Sequence, residues 1–291
     1  MRELYDSSPY QTDQRLPRKV RDSKGRVAAH DYEDVVQQLI KYAIGDFRSR
    51  LASYDAYPDR VTQVSWAKEA WKEACKYHET KMAFNSDIIQ MITRRTSHLT
   101  SEVKAKVRPL VESIYGFESS ARESVKSCNR QLAQQLKHKF GLCYRSLGDK
   151  KQKVPRSGLF QTKLTQKAAN LVWYRNKKDE GIVFAKYFTP FAIPAMALCY
   201  TAAECCIDEW ADGEHIDISF LGDEYKEVYA KHLANLNKFN LRTKDHGILD
   251  AIQKEINDVG RIHAKAEPID VADDDCLSDD KIQNAIEEFQ K

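Results

Sequence analysis

Residues 195–211 form a run of seventeen, thirteen of them Ala, Met, Leu, Cys, Tyr, Ile or Trp, spread over every side of a helix and preceded by Pro194. A helix with no polar face has to be surrounded by its neighbours, and proline suits the first helical turn. The same stretch is unsuited to a bilayer. From 191 to 211 it is broken by Pro194, Glu204, Asp208 and Glu209, whereas a spanning helix needs ~20 largely apolar residues. A buried central rod is therefore expected, and no membrane partner.

The surrounding sequence supplies the covering elements. Val36, Leu39, Ile40, Ala43, Phe47 and Leu51 recur at helical spacing, and the next helix, 62–82, carries Val64, Ala67, Trp71, Ala74, Cys75 and His78 along one stripe. Asn85 is placed to cap a third helix, and an apolar line continues from Ile88 to Ile114, split near 97–101, with Pro109 as a kink or new start and Gly116 as terminator. Another helix runs from Ser119 or Ser120 to Gly141, with Phe140 inward. Residues 145–158 read as a lysine-rich loop, 160–175 as a short helix and 181–188 as a turn with an extended run. Two amphipathic helices follow, at about 223–239 and 245–264. The 11 Gly and 8 Pro in 291 residues suit few turns and long helices. The expected fold class is all-α: a single irregular, orthogonal helical domain (31–266) of about eight helices around the 195–211 rod. A basic polar leader (1–30), expected to be disordered, precedes it. An acidic tail (267–291) with a short terminal helix follows.

Charge is distributed unevenly. The formal net charge of +3 conceals a leader of +3, a middle of +7 and a tail of −7. Residues 122–167 hold twelve Lys/Arg against Glu123 and Asp149, a local +10. Arg122, Lys126, Arg130, Lys137, Lys139, Arg145, Lys150, Lys151, Lys153 and Arg156 are the candidate polyanion-binding residues, since such density can neutralise phosphates. Phe140, Tyr144 and Phe160 lie among them, and rings can stack on unpaired bases. Trp173 and Tyr174, just beyond, read as core. The partner would be nucleic acid or an acidic protein, with the tail 267–291 competing for the same surface from within the chain. Basic clusters in the leader (15–26) suggest nuclear or nucleocytoplasmic residence. Seven cysteines without a CxxC pair or secretory leader suggest reduced intracellular thiols.

Signatures of catalysis are missing from the sequence. No GxxxxGK[ST], GxGxxG after a strand, HExxH or GxSxG occurs, and no cofactor or metal site is expected. The remaining candidates are Glu204, Asp208 and Glu209 on the apolar rod. Buried carboxylates must be paired or neutralised. The preferred reading is that Arg175, Lys177 or Lys178 pairs with them. The alternative is an enzyme with a carboxylate or metal-assisted site there, assisted by His232 or His263. Both histidines, like Trp66 and Trp71, are more simply packing residues.

Several separated segments resemble a known family. VWYRNKKDEGIVFAKYF (172–188), IPAMALCYTAAECCIDEWADG (193–213), YKEVYAKHLANL (225–236), KVRPLVESIYGF (106–117) and IQKEINDVGRIHAKA (252–266) look like an uncharacterised domain family abundant in mushroom-forming, basidiomycete fungi. The likeness spans roughly residues 60–266. It implies an all-helical fold and no particular reaction, with the KKDEG turn (177–181) and the E-x-x-x-D-E-W helix (204–210) as hallmarks. The overall expectation is a non-enzymatic interaction domain of undetermined oligomeric state that contacts a polyanion through 122–167.

Overall fold

The computed structural model describes residues 15–21, 25–149, 151–220 and 222–267. Helix accounts for 66 % of it, so the all-α expectation holds. The elements are α1 (Asp34–Ser53), α2 (Arg60–Tyr77), α3 (Ser86–Thr93), α4 (Arg95–Tyr115), α5 (Glu123–Lys137), α6 (Lys163–Val172), the single turn α7 (Glu180–Val183), α8 (Ile193–Asp208), α9 (Gly222–Thr243) and α10 (Ile248–His263).

α8 is the expected rod. From Ala195 to Ile207 each residue is buried except Glu204, and Pro194 sits in its first turn. α4 and α9 pack along it, with α1, α5 and α6 completing its surroundings. Trp173, Tyr200, Phe188 and Phe191 are fully buried in one continuous core that also takes in Trp71 and Phe47. Burying each such side chain contributes about 1.5–3 kcal/mol.

Local signals explain several boundaries. The Asn85 side chain accepts from the Ile88 amide and starts α3. Gly116, at φ +83°, ends α4. Pro109 lies inside α4 and does not begin a new helix. The α3–α4 division falls at Arg94 and not at 97–101, inside the polar run Thr93–His98 that separates Ile92 from Leu99 in the apolar stripe. α5 stops at Lys137, earlier than Gly141, and a 3₁₀ segment His138–Cys143 follows. Residues 181–188 are helical, with α7 followed by the 3₁₀ turn Ala185–Tyr187, because Asp179 and Glu180 carbonyls accept from the amides of Ile182, Val183 and Phe184. The lysine-rich 145–158 stretch lies in an antiparallel hairpin of β1 (Tyr144–Ser146) and β2 (Ser157–Leu159), paired Tyr144↔Leu159 and Ser146↔Ser157.

Part of the leader expected to be disordered is described and bonded. The Arg15 carbonyl accepts from the Ala83 amide, Arg15 pairs with Glu33 at 2.7 Å and Lys19 with Asp87 at 2.7 Å. The tail from 268 on, with its expected terminal helix, and Lys150 lie outside the described residues. The six described cysteines are free. No described helix is long and apolar enough to cross a membrane.

Candidate functional site

The basic tract divides into cations committed to the protein and cations facing outward. α5 presents Lys126 to Glu214, Arg130 to Glu123 and to the Asp212 carbonyl, and Lys137 to Asp208. These three tie α5 to the chain at the end of α8. Arg156 donates to the carbonyls of Gln135 (3.2 Å), His138 (2.8 Å) and Lys139 (3.3 Å). It thereby satisfies the open end of α5 and lies over the Tyr144 ring. Arg122, Lys139, Arg145, Lys151 and Lys153 are exposed.

At the end of α5 the backbone does something unusual. Lys139 and Phe140 are consecutive left-handed residues, φ 50° and 55°, and Phe160, just after β2, has φ 61°. A non-glycine residue in this region costs roughly 1–2 kcal/mol. The Phe160 amide closes the base of the hairpin on the Cys143 carbonyl at 2.7 Å. All three strained residues line one cleft of about 290 Å³, with Tyr144 and Leu159 from the hairpin and Lys238, Phe239 and Arg242 from α9. Phe160 meets Phe239 edge-on at 5.2 Å. Among the described residues no carboxylate lines this cleft. Phe140, expected inward, is 36 % exposed at its mouth and rests edge-on against His232 at 5.5 Å.

Lys238 and Arg242 fall outside the tract singled out in the sequence. The signal for them is Asn235, Lys238, Phe239 and Arg242 at i, i+3, i+4 and i+7, one face of α9 carrying both charge and an aromatic ring.

The α8 carboxylates point to three different neighbours, and none to the 175–178 cations expected to pair with them. Glu204 accepts from His232 Nε2 at 2.9 Å. That His232 is itself buried, with Nδ1 unpartnered among the described residues. Burial would raise the Glu204 carboxyl, but the His232 hydrogen bond and the charges of His232, Lys137 and Lys231 hold it below its ordinary value. Asp208 takes Lys137 and the Tyr225 hydroxyl at 3.2 Å. Glu209 is the most enclosed. Arg108 donates to both its oxygens (2.8 and 2.7 Å), Lys104 Nζ lies 2.7 Å away and the Ile218 amide donates at 3.3 Å. Burial pushes the Glu209 carboxyl up, yet the bonds from Arg108, Lys104 and Ile218 outweigh it and hold it at about 2. Arg175 instead pairs with Asp179 at 3.0 Å. His263 is exposed. Among the described residues no three His, Cys, Asp or Glu are grouped to hold a metal ion.

The missed partners, Lys104 and Arg108, are one turn apart on α4. Lys104 interrupts an apolar stripe next to Val103 and Val107, and a cation in such a stripe calls for a buried acid. Nearby, Asn129 Nδ2 bridges the Glu118 and Gly213 carbonyls, both at 2.8 Å. Gly213 has φ +90°, and a Cβ there would collide with the Lys126 carbonyl. Gly213→Ala is expected to cost about 2–3 kcal/mol, the left-handed penalty plus a backbone clash, measured as a lower urea midpoint at unchanged m-value.

Residues 42–239 match the model of a family described as Domain of unknown function (DUF6532). No curated protein and no solved structure matches the chain.

Proposed function

The chain belongs to the DUF6532 family, whose description assigns no chemistry, and from that premise we propose that it is a helical interaction module for single-stranded nucleic acid. The cleft between the β1–β2 hairpin and α9 takes an unpaired base. Lys139, Lys238 and Arg242 meet the flanking phosphates, with Arg145, Lys151 and Lys153 extending the basic surface along the hairpin. One observation carries this reading: strained backbone, aromatic rings and cations with no carboxylate partner among the described residues coincide in the same cleft. Strain persists where the surrounding structure enforces it, often at a binding site. Rings next to a basic groove are how single strands are held without sequence preference.

The geometry of the α8 carboxylates supports a structural role over the enzyme alternative. Each is spent on a different neighbour, so they do not converge on a shared reacting point. The −7 tail is proposed as an internal competitor for the cleft, on the strength of its charge. The test is fluorescence anisotropy with a labelled single-stranded oligonucleotide at low salt. Ending the chain at residue 266 is expected to tighten binding several-fold. Equal affinity of the two chains would remove the tail from the account, and no binding by either would remove the function.

A further inference from the structure

A large cavity, about 1060 Å³, lies away from the hairpin cleft, between α1, the end of α2, the start of α4 and the turn at α7. Its size is at the upper end of small-molecule pockets, and a short apolar wall of Tyr42, Tyr77, Val183 and Phe184 faces a lining that is otherwise mostly polar and charged. On one side Tyr42 and Tyr77 are stacked, centroids 4.4 Å apart at 24°, and Phe184 closes edge-on against Tyr42 at 5.0 Å. Tyr77 lines the cavity and is 65 % exposed, so much of its ring is open to solvent.

The wall is a built feature. Gly45 sits in the middle of α1, where glycine is less favourable than alanine. A Cβ at Gly45 would meet the Phe184 ring at 2.5 Å, so its absence is what lets that ring lie against the helix.

The charged groups that line the cavity are only partly paired with one another. Arg48 uses both cavity carboxylates, Glu102 at 2.9 Å and Glu180 at 2.5 Å. Arg175 is held by Asp179. That leaves Arg95, Lys41 and Lys178 lining the cavity with no carboxylate in contact among the described residues. The Arg95 Nε is buried without a hydrogen-bond partner, and its Nη1 reaches only His98 Nδ1, at 3.3 Å. Arg95 itself lines the cavity, so an anion there would meet its guanidinium charge. Lys178 and Glu180 both come from the KKDEG turn, which the nucleic-acid reading does not use.

We propose that this cavity binds a small aromatic anion, a planar ring stacked against Tyr77 with a phosphate or carboxylate group met by Arg95. The ring gains the apolar wall, and the anion gains a charge-assisted hydrogen bond from the guanidinium. The proposal is independent of the hairpin cleft.

Isothermal titration of the full chain with phenyl phosphate and with benzoate tests it, with inorganic phosphate and phenol as the separate halves. At least one of the two aromatic anions is expected to bind saturably and more tightly than either half, and their ratio shows whether phosphate or carboxylate is preferred. Arg95→Gln is expected to weaken binding about tenfold or more, the loss of a charge-assisted hydrogen bond. Tyr77→Ala, at an exposed position that leaves the core intact, is expected to weaken it about fivefold. Lys238→Gln with Arg242→Gln, in the other cleft, should leave it unchanged. No saturable binding of either aromatic anion, or undiminished binding by Tyr77→Ala and Arg95→Gln, would overturn the assignment.

Discussion

Glu209→Gln is expected to destabilise the protein by about 3–5 kcal/mol, because it leaves the buried Lys104 ammonium and the Arg108 guanidinium without their shared counter-charge. The side chain of Glu209 is fully enclosed and that of Lys104 only 8 % exposed, so water cannot replace what is lost. Arg108, 31 % exposed, retains partial hydration, and the exposed Asp217 remains beside both cations, 3.5 Å from Lys104, which favours the lower end of the range. Urea unfolding at neutral pH measures it. A companion variant separates pairing from packing: Glu209→Leu with Lys104→Met removes both charges, and should recover much of the loss, since apolar replacement of a whole buried pair is often close to neutral. A single-variant loss below about 1 kcal/mol would mean that the cluster behaves like a surface ion pair.

The same cluster sets a pH dependence. The folded Glu209 carboxyl is held at about 2, against an ordinary 4.5. A depressed carboxylate contributes stability that is fully present above its unfolded value and is lost as pH falls through the folded one. Stability should thus decline from about pH 4.5 towards pH 2, and Glu209→Gln should flatten that decline.

The second large effect concerns binding. Phe140→Ala is expected to weaken single-strand binding by about 1–3 kcal/mol, the worth of one stacked base. Lys238→Gln with Arg242→Gln is expected to reduce the salt slope by about 0.7 for each phosphate that is no longer neutralised. Lys126→Gln removes the same kind of charge from the basic tract, yet Lys126 is already paired with Glu214. It should change affinity far less. If Lys126→Gln weakened binding as much as the α9 pair, total charge and not the cleft would be responsible.

How much was legible in the sequence follows from the range of each interaction. α8 could be read because an all-round apolar helix has only one environment, and the Asn85 and Gly116 boundaries because caps act within a few residues. The stretch 181–188 misled because Val183, Phe184 and Tyr187 are strand-favouring residues placed in helical turns by tertiary packing. The cleft was half legible. Phe140, Tyr144 and Phe160 stood out beside lysines, but Lys238 and Arg242 join them only after α9 crosses α8, about a hundred residues along the chain. The acids of α8 call for cations, and the sequence offers Arg175, Lys177 and Lys178 in the loop before the rod, whereas α4, α5 and α9 are the elements packed against it and supply the partners.

Whether the cleft between the hairpin and α9 binds a single strand is tested most directly by the affinity of labelled oligothymidylate for the full chain and for the chain ending at residue 266, followed between about 50 and 200 mM salt. With three phosphates met by Lys139, Lys238 and Arg242, log K is expected to fall against log salt with a slope of about −2, since each single-strand phosphate contributes about −0.7. Absence of binding by both chains at the lowest salt, or affinity that salt does not change, would contradict the account.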